Sequence, residues 1–371
     1  MSDERFMHEA LALARQGQGF VEPNPMVGAV IVREGRIIGR GWHKRFGGPH
    51  AEVEAIRDCR QQGQDPAGAT MYVTLEPCRH HGKTPPCTDA IRQARLARVV
   101  VAMVDPSAHA AGAGAHELRQ AGVEVEVGLC QHEAEQLNEP FLKRVRTGLP
   151  WVILKWAQTL DGKISSATGQ SRWISSEVSR QRVHELRARC DAVMVGIGTV
   201  QADDPQLTAR GVEVRRSAVR VVIDPDLKTP SGARLIQEER PPVLLAVRQR
   251  VLEEGGPVAA SWRAKHVTLL GLPELDDGHL DLRPLMEHLA QQHQATNVLV
   301  EGGAGLAGSL LRQGLVDQIL AFIAPKLAGD AQALSAVRGL AWPTPQQSLL
   351  LELRHMEKLG PDVLLDYRVQ R

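Results

Sequence analysis

Pro49-His50-Ala51-Glu52 and Glu76-Pro77-Cys78-Arg79-His80-His81-Gly82-Lys83-Thr84-Pro85-Pro86-Cys87 are the two segments on which the reading of this chain turns. One imidazole and two thiols are ligands of the kind that hold tetrahedral zinc. Three protein ligands leave a fourth position for water, the pattern of a catalytic site. His50, Cys78 and Cys87 are the expected ligands. Zinc lowers the pKa of a bound water to about 7, so hydroxide can add to an electron-poor ring carbon that bears an amino group. Glu52 follows His50 by two positions, about 200° around a helix, which suits it poorly as a co-ligand. It is expected instead to carry the water proton to a ring nitrogen and the departing amine.

His-x-Glu followed by Pro-Cys and a second Cys is the arrangement of zinc-dependent nucleobase deaminases. Their short form has two residues between the cysteines, whereas eight intervene here. That insertion hangs a loop carrying His80, Lys83 and Thr84 beside the metal. A structural zinc would need a fourth ligand, and His43, His80 and His81 are candidates. His-x-Glu before a helix, together with Glu-Pro-Cys after a strand, favours the catalytic alternative.

Around these segments the periodicity predicts an α/β domain. It gives a helix over Arg5–Gln16, a hairpin of Gly28–Val32 and Arg36–Gly41 turned at Glu34-Gly35, and a helix over Ala51–Gln62 with Val53 and Ile56 inward. Strands at Met71–Leu75, Val99–Val104 and Val123–Val127 alternate with helices at Thr88–Ala94 and Ala115–Gln120, which implies a mixed sheet covered by helices. Arg144–Pro150 reads as a linker. Beyond it a second α/β unit of about 220 residues begins. Its strands are expected at Trp151–Lys155, Ala192–Val195, Val219–Ile223, Val243–Val247, His266–Leu270 and Asn297–Val300. Its helices are expected at Glu177–Arg189, Leu285–Gln292 and Ala307–Gln313.

Lys+Arg at 44 against Asp+Glu at 43 leaves a formal charge of +1, without the basic excess of a nucleic-acid binder. Aromatic residues at 4% also argue against a base deaminase that stacks on RNA. A small-molecule partner is therefore expected, with no nucleic acid and no membrane, and a homo-oligomer stays open. Five cysteines suit a reducing compartment. The acidic start Met1-Ser2-Asp3-Glu4-Arg5 does not read as a signal peptide, and no apolar run is long enough to span a bilayer, so a cytoplasmic enzyme is expected. A zinc-stabilised binding module with an inactive second half is the non-enzymatic alternative.

From near Arg5 to near Val369 the chain resembles the bifunctional riboflavin-biosynthesis deaminase–reductases of bacteria. The matching stretches in the first half are Pro23-Asn24-Pro25-Met26-Val27-Gly28-Ala29, His50-Ala51-Glu52-Val53 and Thr74-Leu75-Glu76-Pro77-Cys78 through to Cys87. In the second half they are Thr159-Leu160-Asp161-Gly162-Lys163, Ser171-Arg172-Trp173-Ile174, Asp203-Asp204-Pro205, Val300-Glu301-Gly302-Gly303 and Ala324-Pro325-Lys326-Leu327. The eight-residue spacing between Cys78 and Cys87 is itself a feature of that family.

The resemblance implies a cytidine-deaminase-like domain over residues 1–146 and a dihydrofolate-reductase-like domain over 150–371. The first would remove the 2-amino group of a diaminopyrimidinone ribosylamine 5′-phosphate, and the second would use NADPH to reduce ribosyl to ribityl. It places Asn24, His43, His80 and Lys83 against the first substrate. Ala157, Trp173, Thr199, Asp203 and the run Gly303-Ala304-Gly305-Leu306-Ala307-Gly308-Ser309 would line the NADPH site. Ser171, Arg187, Leu207, Arg210 and Glu301 would meet the ribose phosphate and pyrimidine, an arginine fork being a good phosphate partner. Lys155, Asp203 and Glu301 are alternative sources of the reductase proton. The chain departs from the family pattern at Arg79, at Ser107-Ala108-His109 and at Pro225. On its own, Val300-Glu301-Gly302-Gly303 reads as a strand, a glycine turn and a helix start whose N–H groups attract phosphate, without the usual Rossmann spacing.

Overall fold

The computed structural model describes residues 3–107, 112–239, 241–263 and 266–370. The chain divides into two compact units between Gly148 and Leu149. Among the described residues no helix is long and apolar enough to cross a membrane.

The first unit is built on a five-stranded sheet of β1 (Gly28–Arg33), β2 (Arg36–Trp42), β3 (Thr70–Val73), β4 (Arg98–Val101) and β5 (Glu124–Val127), in the order β2-β1-β3-β4-β5. β1 is antiparallel to β2 and β3, while β3, β4 and β5 run parallel, so the sheet is mixed as its alternating pattern predicts. Glu34 and Gly35 both take positive φ, 49° and 73°, which joins β1 to β2 with the twist a two-residue hairpin requires. Helix Ala51–Gln61 lies directly on β2. A Cβ at Gly41 would stand 2.3 Å from the carbonyl oxygen of Ala51, so only glycine admits this approach. The close contact fixes where the first turn of that helix meets the sheet, and with it Glu52.

Two expectations are corrected here. Ile56 faces inward, but Val53 is only half-buried; Glu52 and Glu54 share the buried face with Ala51, Ala55 and Cys59. Glu54 is held there by Lys44 and Arg57, each at 2.6 Å. The segment Arg144–Pro150 is not an open linker: helix Glu139–Thr147 runs through most of it and ends on left-handed Gly148.

Among its described residues the second unit holds nine strands: β6 (Trp151–Thr159), β7 (Ala192–Gly196), β8 (Val219–Ile223), β9 (Val243–Arg248), β10 (Val267–Leu272), β11 (Asn297–Glu301), β12 (Gln318–Ala324), β13 (Leu351–Leu359) and β14 (Asp362–Val369). Their order is β10-β9-β8-β7-β11-β6-β12-β14-β13. The strands from β10 to β12 are parallel, and the β13–β14 hairpin closes one edge antiparallel. The parallel strands read as continuous apolar runs because both their faces are covered. β6 sits between β11 and β12, so the carboxyl ends of β6, β7 and β11 open together at the place where strand order switches, the usual ligand crevice of an open α/β sheet.

Candidate active sites

His50 is the residue just before helix Ala51–Gln61. Its backbone is extended and its side chain caps nothing, so the imidazole is left to project from the helix start. Cys87 is the first residue of helix Cys87–Gln93, and its N–H donates to Cys78 Sγ at 3.5 Å. His50 Nδ1 lies 3.5 Å from Cys78 Sγ and 3.3 Å from Cys87 Sγ, and the three ligand atoms all fall within 4.8 Å of one another. A tetrahedral ion with Zn–N about 2.0 Å and Zn–S about 2.3 Å needs ligand separations of about 3.5 Å, so the donor set fits zinc. Cys78 has its thiol pulled down to about 4 by hydrogen bonding from Cys87, opposed by burial and aided by His50. The proton is correspondingly retained on Cys87.

Glu52 points into the same cavity, of about 290 Å³, and is 3% exposed. Among the described residues its buried Oε2 has no hydrogen-bond partner, a costly state unless something outside the protein uses it. Burial pushes its carboxyl pKa up against the pull of His50. His43 donates from Nδ1 to the Pro49 carbonyl at 3.0 Å, leaving Nε2 to accept from the Asn24 amide at 3.3 Å. Burial lowers its pKa, so the ring is neutral and oriented. Lys83, on the inserted loop, has its ammonium 3.8 Å from the Phe46 ring centroid at the cavity wall. Asn24, His43, His80 and Lys83 thus all line one cavity with the three ligands' His50 and Cys78. Ser107 lines it too, Arg79 is exposed, and Ala108-His109 lie outside the described residues.

The role of Glu76 was missed. Its Oε1 accepts from the N–H groups of Gly114 (2.9 Å) and Ala115 (3.1 Å), and its Oε2 from those of Gly112 (2.9 Å) and Asp105 (3.2 Å). One carboxylate two residues before Cys78 therefore caps helix Ala113–Gln120 and ties down the segment that brings Asp105 and Ser107 to the cavity. The sequence signal was the acid itself, placed where a strand leaves the core. Glu76→Gln would set an amide NH₂ against two of these donors. We expect it to destabilise the first unit by about 1–3 kcal/mol, read as a lower denaturant midpoint. Reductase activity serves as the reference, and an unchanged midpoint would contradict this role.

In the second unit Lys155 and Glu301 are partners across the parallel β6–β11 register. Arg187 donates to Glu301 twice, from Nε at 2.5 Å and from NH2 at 2.7 Å, and its NH1 reaches the Thr208 carbonyl at 3.2 Å. Burial pushes Glu301 up, but the Arg187 pair more than offsets this and the carboxyl is held below its ordinary range. Burial lowers the Lys155 ammonium, against the pull of Glu301. Arg210 lies beyond, with NH1 on Gln206 (2.8 Å) and Thr208 (3.3 Å). His184 was not anticipated. One helical turn before Arg187, it accepts from the Arg210 N–H at 3.3 Å, and burial with Arg187 and Arg210 lowers its pKa. Leu207 takes a positive φ of 59° with its side chain in the core.

At the neighbouring strand ends Gly302 and Gly303 have φ of 74° and 88° and lead into helix Ala304–Arg312, which no side chain caps. A Cβ on either glycine would stand 3.7 or 3.8 Å from Thr199 Oγ1 and fill the gap between the two segments. Bare backbone and open helix N–H groups there fit a phosphate-bearing cofactor. Ser171 Oγ donates to Asp203 at 3.0 Å, and Arg172 bonds the Asp203 carbonyl and carboxylate. Trp173 is 63% exposed, with the Arg180 guanidinium 4.5 Å from its ring. Ala157 is half-buried on β6. Within Gly303–Ser309, Gly303 faces Thr199, whereas Leu306 and Ala307 sit in the hydrophobic core. Gly308 packs on the Arg338 backbone, and Ser309 bonds Gln313.

Residues 1–103 match the cytidine and deoxycytidylate deaminase zinc-binding region, and residues 150–365 match the RibD C-terminal domain. The chain is 40% identical to the riboflavin biosynthesis protein RibD of Aquifex aeolicus over 366 residues, covering 99% of this chain and 98% of that one. It is 44% identical to RibD of Escherichia coli over 379 residues, covering 98% and 99%. A diaminohydroxyphosphoribosylaminopyrimidine deaminase/5-amino-6-(5-phosphoribosylamino)uracil reductase of Thermotoga maritima superposes with a TM-score of 0.84 at 36% identity, covering 99% and 98%. RibD of Acinetobacter baumannii superposes with a TM-score of 0.83 at 35% identity, covering 100% and 99%.

Proposed function

The chain belongs to the RibD family, and from that membership we propose that residues 1–146 form its zinc-dependent deaminase domain and residues 150–371 its NADPH-dependent reductase domain. It is a bifunctional riboflavin-biosynthesis enzyme with a cytidine-deaminase-like domain followed by a dihydrofolate-reductase-like one. It hydrolytically deaminates 2,5-diamino-6-(ribosylamino)pyrimidin-4-one 5′-phosphate. It then reduces the ribosyl group of 5-amino-6-(5-phosphoribosylamino)uracil to ribityl with NADPH. The observation that carries the site assignment is the convergence of His50, Cys78 and Cys87 beside the unpartnered Glu52 oxygen. We place the enzyme in the cytoplasm.

Zinc held by His50, Cys78 and Cys87 supplies a water acidic enough to act at neutral pH. Glu52 Oε2 would accept a proton from such a water and pass it to the ring nitrogen and the leaving amine, so that water replaces the amino group as C=O and ammonia departs. Neutral His43 orients Asn24, whose amide oxygen is left to hold the pyrimidine edge, and Lys83 meets the phosphate. In the reductase half Gly302, Gly303 and Thr199 would hold NADPH, which would supply the reducing equivalent. The ribosylamine opens to an imine that is reduced at C1′. Glu301 is held ionised by Arg187, and Asp203 is engaged by Ser171 and Arg172. Lys155 is therefore assigned as the proton donor.

One assay tests both halves: ammonia and NADPH followed together with the diaminopyrimidinone phosphate as substrate. Ammonia release followed by NADPH loss is expected; release without NADPH consumption would overturn the second assignment. Purified enzyme should retain about one tightly held zinc per chain, measured by atomic absorption. Arg210→Ala removes a phosphate partner and should raise the reductase KM about tenfold with the deaminase KM unchanged. An equal rise in both would count against separate sites.

A further inference from the structure

A second group of soft and hard donors converges far along the sequence from the catalytic ligands. His8 lies in helix Asp3–Arg15, Cys130 immediately precedes helix Gln131–Leu137, and Glu133 is in that helix's first turn. His8 Nε2 stands 3.8 Å from Cys130 Sγ and 3.9 Å from Glu133 Oε1, and the three ligand atoms lie within 4.8 Å of one another. Nitrogen at about 2.0 Å, sulfur at about 2.3 Å and oxygen at about 2.0–2.2 Å from a tetrahedral ion would be about 3.3–3.6 Å apart. Closing onto an ion therefore brings His8 Nε2 about half an ångström or less closer to each of the other two donors, and Cys130 and Glu133 closer to each other by no more than about 1.5 Å.

These side chains can make that movement. Those of His8 and Glu133 are 58% and 46% exposed, and Cys130 is half-buried. Cys130 takes a left-handed φ of 56°, the backbone state in which its sulfur stands toward His8. Glu4, one helical turn before His8, also acts electrostatically on Cys130, so the surroundings are acidic and favour a cation. The donor set matters more than the charge. A thiol with an imidazole and one carboxylate selects a borderline-soft divalent ion such as zinc, whereas magnesium or calcium would want oxygen ligands alone.

We propose that His8, Cys130 and Glu133 form a second zinc site, separate from the catalytic one, which pins helix Asp3–Arg15 to helix Gln131–Leu137. The bound ion displaces the thiol proton of Cys130 to solvent as the Zn–S bond forms. It also cross-links residues far apart in sequence, so it stabilises the first unit by restricting the unfolded chain. Helix Gln131–Leu137 leads into Asn138, whose side chain brackets the Met26 backbone with bonds of 2.8 and 2.9 Å beside the cavity residues Asn24 and Pro25. The pin therefore lies on the segment that supports one wall of the deaminase cavity.

The test uses the full-length enzyme with its catalytic zinc in place, dialysed against buffered free zinc. About two zinc per chain are expected in the wild type and about one in Cys130→Ser, with His8→Gln losing the second ion likewise. Iodoacetamide labelling, read by peptide mass spectrometry, should find Cys130 alkylated at least about tenfold more slowly with zinc than without, because a coordinated thiolate is shielded. Neither variant alters a residue of the catalytic machinery, so both should keep deaminase activity, which reports that they are folded. Retention of the second zinc by Cys130→Ser would overturn the site. So would a wild-type stoichiometry that stays near one, or zinc-independent alkylation of Cys130.

Discussion

Glu52→Gln should lower the rate of ammonia release by about 10²–10⁴-fold, the range that a positioned general acid–base contributes. Glutamine keeps the volume and the burial of the 3%-exposed side chain, and the ligand atoms of His50, Cys78 and Cys87 are untouched, so zinc content should be unchanged. NADPH oxidation with already deaminated substrate should also persist. The size of the expected loss follows from what else the cavity offers. His43 also lines the cavity, but both of its ring nitrogens are committed, to the Pro49 carbonyl and the Asn24 amide. Lys83 stands over Phe46 at the wall. Ammonia release within tenfold of wild type would show that another group moves the proton. Loss of zinc from the variant would show instead that Glu52 shapes the metal site.

The candidate deaminase site was legible because its residues are of types that folding alone does not require. A His-x-Glu before an apolar-periodic segment and two cysteines after a short strand have few structural reasons to occur together, and the structure brings the ligand atoms of His50, Cys78 and Cys87 within 4.8 Å of one another at a cavity that His50, Glu52 and Cys78 line. Where reading by polarity failed, the cause was physical. Periodicity assigns carboxylates outward, yet Glu52 is buried at the cavity and Glu54 is held inside by Lys44 and Arg57. Helices Gln131–Leu137 and Glu139–Thr147 bury only Ala134 and Leu142, too few apolar residues to show a face. β13 is exposed along most of its length as an edge strand, so it lacks the alternation that marks a half-buried strand. The four-fold cradle of Glu76 links residues up to 39 positions apart, and no local pattern reports such a bond.

In the reductase half, Glu301→Ala is expected to cost about 3–5 kcal/mol of stability, because it strands a buried guanidinium. Arg187 and Glu301 have side-chain exposures of 13% and 10%, so solvent cannot replace the lost partner. Lys155 across the ladder loses the same counterion, whose pull raises its pKa against burial, so less of it carries the proton it is assigned to donate. Reductase kcat should therefore fall along with stability, while ammonia release remains as the internal reference. The pH dependence separates this cause from simple loss of packing. Glu301 has a folded pKa below its ordinary 4.5, so the folded state binds fewer protons and the pair's contribution is complete above that value. It is lost as pH falls through the lower, folded value. His184 also titrates lower in the folded state, from 6.5, and adds a separate loss of stability that begins near that pH. Glu301→Gln, which keeps the shape, should flatten the denaturation profile below pH 4.5 and leave the loss that begins near 6.5 in place. A variant whose acid limb matches wild type would mean that Glu301 and Arg187 are no more strongly coupled in the folded protein than in the unfolded chain.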